Sequence, residues 1–413
     1  MTSQTLFYII IGILVISYLV DLIMGYLNAK HFNDPIPDAL HDVYNEEEYL
    51  KSQAYKKTKD RFGTYTATFS LLLTVAFFFF DGFAIVDQWA RTFTEHPIGV
   101  AFIFFGVIML ASDILTTPFE YYNTFVIEEK FGFNKMKPIT FFVDKIKGWG
   151  MGIVIGGGLL ALIIWIYEAT QSMFWLYAWG VITLFSVFMN MFYARLIVPI
   201  FNKQAPLEKG ELRAQIETYA SQVGFNLTNI FTIDGSKRST KANAYFSGLG
   251  REKRITLYDT LINDLEDTEI VAVLAHEVGH YKRKHVITNL LLSVGITGVT
   301  LWLFSLCLAQ PIIAEAVGVS KPSFHVGLVV FGILYTPISA VTGFFMSALS
   351  RKHEYEADNY AAETYEAKPL ISSLKKLSKS SLSNLTPHPL YVQLNYSHPT
   401  LLQRVENLES VSS

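Results

Sequence analysis

One cysteine, Cys307, stands in the whole 413-residue chain. An internal disulfide and a cysteine-based zinc finger are therefore both excluded. Charge is also scarce: Lys, Arg, Asp and Glu make up 17% of residues against 51% hydrophobic, with a net charge of -3. That composition is more apolar than a soluble globular chain. It offers no basic surface for nucleic acid. A small-residue cleavage site is missing after the first apolar run, Thr5 to Leu27, so that run reads as a retained helix rather than a signal peptide.

What the chain does have is long apolar runs. Seven are long enough to cross a bilayer as helices: Thr5 to Leu27, Thr64 to Val86, Ile98 to Pro118, Trp149 to Tyr167, Met173 to Leu196, Val286 to Ala309 and Val326 to Leu349. Lys and Arg concentrate in alternate connections. The first loop holds Lys30, Lys51, Lys56, Lys57, Lys59 and Arg61, and the third holds Lys130, Lys135, Lys137, Lys145 and Lys147, whereas the second has only Arg91 and the sixth only Lys321. Positive loops stay cytoplasmic, which puts the N-terminus outside and both the polar stretch 197–285 and the segment 350–413 on the cytoplasmic side. Asp21, Asp81 and Asp113 fall within spans, where acids favour a polar interior or a helix end.

The organisation expected is thus spans one to five over 1–196, a cytoplasmic subdomain over 197–285, spans six and seven over 286–349, and a C-terminal helical segment over 350–413. In the subdomain, Leu207 to Val223 has the pattern of an amphipathic helix. Asn229 to Gly235, Asn243 to Leu249 and Arg254 to Asp259 read as strands, the last two forming a hairpin across Gly250 to Lys253. Asp267 is expected to cap a helix that runs on into the sixth span.

That helix contains "LAHEVGHYKRKH", Leu274 to His285. Residues four apart share a helical face, so His276 and His280 can present imidazole nitrogens to one zinc ion. Glu277, turned by about 100° from His276, lies beside the ion, where a carboxylate accepts a proton from zinc-activated water. A hydrolytic site needs a third protein ligand. "RKHEYEADNYAAETY" supplies Glu354, with Asp358 four residues on and on the same face, placed to receive a hydrogen bond from a ligating histidine. His285 lies off the ligand face and reads as a boundary residue.

With these segments in view, the chain resembles the integral membrane zinc metalloproteases typified by the type 1 CAAX prenyl protease. The matching stretches are "NTFVIEEKFGFNK", "IVPIFNK", "KANAYFSG", "HEVGH", "SRKHEYEAD" and "SHPTLLQRV", in order along nearly the whole chain. The resemblance implies a mainly α membrane protein. Its seven transmembrane helices enclose a water-filled chamber, with a small α+β zinc subdomain on the cytoplasmic side, one zinc ion per chain and Glu354 as third ligand. It also implies that Asn243, Ala244 and Tyr245 form an edge strand that pairs with an extended peptide. His398 then stands near the scissile carbonyl, and Arg404 orients it or the active-site acids.

The expected reaction is hydrolysis near the C-terminus of membrane-associated or prenylated substrates, with Glu277 as general base. Partners are a peptide or protein C-terminus, with or without a lipid group, and membrane lipid, with no nucleic acid. Two departures, the short "NDLEDTE" before the zinc helix and a C-terminus without a retention signal, point to a bacterial inner-membrane member; a eukaryotic one would lie in the endoplasmic reticulum. Two other readings stay open, a broad-specificity quality-control metalloprotease and a seven-helix metal-binding transporter.

Overall fold

The computed structural model describes residues 1–225, 227, 229–247 and 254–412. Helices dominate it. Thr2 caps the first, Ser3–Ala29, by accepting the Thr5 amide at 3.1 Å. Asn45 and Glu48 form a reciprocal capping box at the start of Glu46–Phe79, whose first turn carries three glutamates suited to the positive end of the helix dipole.

By length and apolarity, 5 continuous helical segments among the described residues qualify as membrane spans: Ser3–Ala29, Glu46–Phe79, Pro97–Glu128, Pro138–Phe201 and His285–Leu308. A sixth candidate is a pair, Phe324–Leu334 and Thr336–Thr364, bent by 56°. Pro337 sits in the first turn of the second member and has no amide hydrogen to donate back across the break, which accounts for the bend. The 64-residue segment is not straight either. Gly152–Gly157 is π-helical, and the chain turns at Gln171–Met173, where Gln171 has φ of 47°.

The expected second span, Thr64 to Val86, is corrected. Its helix stops at Phe79, Asp81 takes a left-handed φ of 53°, and a separate helix, Gly82–Arg91, follows. Short acidic side chains tolerate this conformation better than most residues, and an apolar run carries no signal for it. Among the three span acids, Asp113 has an ion pair, with Lys145 at 2.9 Å.

The polar stretch folds on a four-stranded sheet in the order β1-β2-β4-β3, formed by β1 (Gln204–Pro206), β2 (Asn229–Ile233), β3 (Ala244–Ser247) and β4 (Arg254–Tyr258). β1 and β2 are antiparallel, β2 and β4 parallel, and β3 and β4 antiparallel with Tyr245 opposite Thr256. The turn expected at Gly250 to Lys253 lies outside the described residues. β3 is an edge strand, so its outer backbone groups face no fifth strand among the described residues.

The amphipathic helix begins at Glu211, later than its apolar pattern suggested, because the Leu207 amide is used to bond Ile230 O at 2.9 Å beside the sheet. Ile216 and Tyr219 from this helix meet Ile255 and Leu257 from β4 and Ile270, Leu274 and Val278 from Asp267–Lys282 in one buried core. That core fixes the helix carrying the two histidines against the sheet.

Candidate metal centre

The motif helix, Asp267–Lys282, is capped one residue earlier than expected. Glu266, not Asp267, is the cap, and its amide donates to Glu269 Oε2 at 2.8 Å. Burial opposes ionisation of Glu269, but bonds from Lys376, Ser372 and the Glu266 amide outweigh it and hold this carboxyl below its ordinary range. The helix does not run on into the membrane. Lys284 adopts φ of 63°, and a new helix starts at His285.

Against this helix lies the C-terminal end of Thr336–Thr364. At Gly279 a Cβ would stand 3.1 Å from both Cα and O of Ala357, tighter than ordinary contact. Glycine here and fully buried Ala357 and Ala361 let the two backbones approach. Gly279→Val should therefore push the helices apart at a cost of about 1–3 kcal/mol. Thermal unfolding in detergent should show a lower midpoint, and metal retention after dialysis should fall with it.

The close approach brings three ligand types together. Nε2 of His276 lies 3.1 Å from Nε2 of His280. Glu354 Oε2 is 3.4 Å from His276 Nε2, and Oε1 is 3.3 Å from His280 Nε2. A tetrahedral zinc site with bonds of about 2.0–2.1 Å has edges of about 3.3–3.4 Å, so the donor set fits one such ion. Glu354 Oε2 is buried and has no hydrogen-bond partner among the described residues, an orphan that a cation would satisfy.

Asp358, fully buried, lies 2.8 Å from Nδ1 of His276. An ionised carboxylate only accepts, so this contact puts the proton on Nδ1 and leaves Nε2 with its lone pair directed at Glu354. Arg404 holds Asp358 in turn, with Nε 2.9 Å from Oδ2 and Nη2 2.5 Å from Oδ1, and places Nη1 3.6 Å from Glu354 Oε2. Its helix, Leu401–Ser412, opens with a reciprocal cap between Thr400 and Gln403, which sets Arg404 in the first turn. Burial disfavours a charged His276, yet Asp358 and Glu354 raise its pKa to about 9.

Glu277 is half-buried on the next position of the helix and, among the described residues, makes no hydrogen bond or ion pair. It lies within electrostatic reach of Arg404. His398 is 62% exposed, with Nε2 3.3 Å from Glu354 Oε1 and Nδ1 2.9 Å from Ser397 Oγ. His276, His280, Glu354, Asp358, Arg404 and His398 thus form one network. Asn243, Ala244 and Tyr245 do not touch it directly. Asn243 precedes β3 with its carbonyl accepting from the Tyr258 amide at 3.1 Å, while Ala244 and Tyr245 lie on β3 itself.

His285 is the residue that helical spacing misjudged. The break at Lys284 turns it back, so that its Nδ1 lies 3.0 Å from Nδ1 of His280 and its Nε2 2.8 Å from Glu356. His353 stacks on it with ring centroids 3.9 Å apart. A carboxylate-backed imidazole behind a ligating histidine orients the ligand ring. Two further histidines so close in sequence to the ligands were the available signal.

The chain is similar to known proteins over nearly its whole length. A family model described as CAAX prenyl protease N-terminal, five membrane helices, matches residues 25–203, and the model of peptidase family M48 matches residues 206–412. The chain is 34% identical over 403 residues to CAAX prenyl protease 1 of Saccharomyces cerevisiae, covering 91% of this chain and 89% of that protein. It is 30% identical over 422 residues to the CAAX prenyl protease 1 homolog of Homo sapiens, with the same coverage, 91% and 89%. The crystal structure of S. mikatae Ste24p superposes with a TM-score of 0.93 at 32% identity, covering 98% of this chain and 99% of that one.

Proposed function

The chain belongs to the CAAX prenyl protease branch of peptidase family M48 and is a multi-pass membrane zinc metalloprotease; from that premise we propose which residues perform the hydrolysis. The observation that carries the assignment is the convergence of the His276 and His280 Nε2 atoms, 3.1 Å apart, on the Glu354 carboxylate, whose Oε2 lies 3.4 Å from the first and Oε1 3.3 Å from the second. These three residues hold a single zinc ion, which when bound supplies Lewis-acid polarisation of a peptide carbonyl and makes water acidic enough to yield a nucleophile near neutral pH.

Glu277 takes the proton of the attacking water and returns it to the leaving amine. His398 donates to the carbonyl oxygen as that atom gains charge. Asp358 and Arg404 hold His276 in its ligating tautomer. β3 receives the substrate as an added strand, with Asn243, Ala244 and Tyr245 pairing to its backbone.

In this reading the bent helix pair and the turn at Gln171 divide the apolar segments into seven crossings. Only 6–17% of the apolar window in each continuous span is buried within the protein, so most of each span is left to face lipid or a water-filled chamber. The lysine-rich first and third connections put the metal centre on the cytoplasmic side.

The substrate is a peptide or protein C-terminus bearing a prenylated cysteine. A farnesylated C-terminal peptide, its unprenylated counterpart and an unfolded soluble protein, each incubated with the purified protein, test this. Preferred cleavage of the first, abolished by a zinc chelator and restored by zinc, is expected. Equal digestion of all three would instead indicate broad quality-control proteolysis, and cleavage that persists in the chelator would refute the role of the metal.

A further inference from the structure

A second polar cluster stands ahead of β3, and no step of the hydrolysis uses it. Glu128, the last residue of a π-helical segment, Asn123–Glu128, accepts from Lys59 at 3.0 Å and Tyr55 at 2.8 Å through Oε1, and from Lys241 at 3.1 Å through Oε2. Lys59 Nζ also donates to Asn123 Oδ1 at 2.6 Å, and Lys241 Nζ to Tyr55 Oη at 3.0 Å. Lys56 lies within range of the like charges of Lys241 and Lys59, yet among the described residues no carboxylate is at ion-pair distance from it.

Lys59 and Lys241 therefore share one carboxylate, and Lys56, 5.5 Å from the centre of the Tyr55 ring, adds a third ammonium beside them. Lys241 and Lys59 each engage two acceptors, while an ammonium has three hydrogens to give. Lys241 also stands 4.3 Å over the Phe133 ring and 5.3 Å over that of Tyr55, contacts that hold the group in place without neutralising it. Surplus positive charge that is partly withdrawn from water is unfavourable until an anion joins it. The Lys241 side chain keeps 39% exposure, so an anion can reach it.

Position gives the anion its identity. The Lys241 backbone is fixed on both sides, its amide bonding Ser239 Oγ at 3.1 Å and its carbonyl accepting from Thr260 Oγ1 at 3.1 Å. It lies three residues before Ala244, so about 10 Å of extended chain separates it from the start of the edge strand. A peptide added to β3 can run in either direction. Only the antiparallel one carries the peptide's C-terminal end past Asn243 toward Lys241.

We propose that Lys241, with Lys56 and Lys59, binds the free α-carboxylate of the substrate, and so fixes both the direction of the added strand and the distance of the cleaved bond from the C-terminus. The proposal rests on the strand-addition reading above. It makes the enzyme a measurer of chain ends, with the lysine cluster as the stop.

The test uses the full chain in detergent and two farnesylated peptides of one sequence, one ending in a free carboxylate and the other in an amide. The wild type should cleave the carboxylate form with kcat/KM at least about tenfold higher, the scale of a charge-assisted bond lost. Lys241→Gln should bring that ratio down to about 1–2, whereas Lys241→Arg should preserve most of it. If Lys241→Gln fails to fold, Lys56→Gln should lower the same ratio. Equal cleavage of both peptides by the wild type overturns the proposal, as does a ratio unchanged in the folded glutamine variants, whatever their absolute rates. Failure to cleave either peptide would instead overturn the protease reading itself.

Discussion

Replacing Glu277 by alanine should leave the zinc content of the purified protein unchanged and lower kcat by about 10²–10⁴-fold, the range that positioned proton transfer contributes. Both halves follow from the geometry. Glu277 is absent from the donor triangle, and among the described residues its carboxylate has no partner whose loss would disturb the fold. Nothing in the packing of His276 and His280 depends on it, so what the substitution removes is the proton acceptor alone. Elemental analysis beside single-turnover cleavage separates the two effects. A variant that cleaves at the wild-type rate, or one that loses metal in step with activity, would contradict the role.

Glu354→Ala should have the opposite signature, with metal lost first and activity as a result. Glu354 supplies the carboxylate that faces the Nε2 atoms of His276, His280 and His398 together, whereas Asp358 faces only the Nδ1 side of His276, and Glu354 also faces Arg404 at 3.6 Å. Without it, two neutral imidazoles beside a guanidinium present a poor site for a dication. Stoichiometric zinc in the wild type should fall to trace levels in the variant after gel filtration, and excess zinc should restore little cleavage. Asp358→Asn gives a graded contrast, because it disturbs the orientation of His276 without removing a ligand, and an affinity loss of about 10–100-fold is expected. Retention of a full equivalent of zinc by Glu354→Ala would remove this residue from the ligand set.

These two expectations rest on features that were readable in one dimension. His276 and His280 share a face because helices repeat every 3.6 residues, and the same arithmetic paired Glu354 with Asp358. The strands β2 to β4 were visible in their β-branched and aromatic runs, and the edge position of β3 needed the sheet order to appear. Other features depend on contacts that no local pattern encodes. The left-handed residues Asp81, inside an apolar run, and Lys284, inside a basic one, end helices where helix-forming neighbours continue on both sides, so the expected second span divides in two and the motif helix is separate from the next. His285 was dismissed for the same reason, since its place behind His280 exists only once the chain reverses at Lys284. The cap at Glu266 was missed by one residue because two acids in succession, Glu266 and Asp267, each satisfy the usual preference.

The donor triangle joins a helix ahead of one membrane crossing to a helix leaving a later one, and Asp358 is locked only when Arg404 arrives. A ribosome delivers these parts in sequence. His276 and His280 emerge long before Glu354, and the intervening apolar helices must be inserted before the acid can reach them. The metal site is accordingly assembled late, once two stretches of chain separated by membrane helices have met.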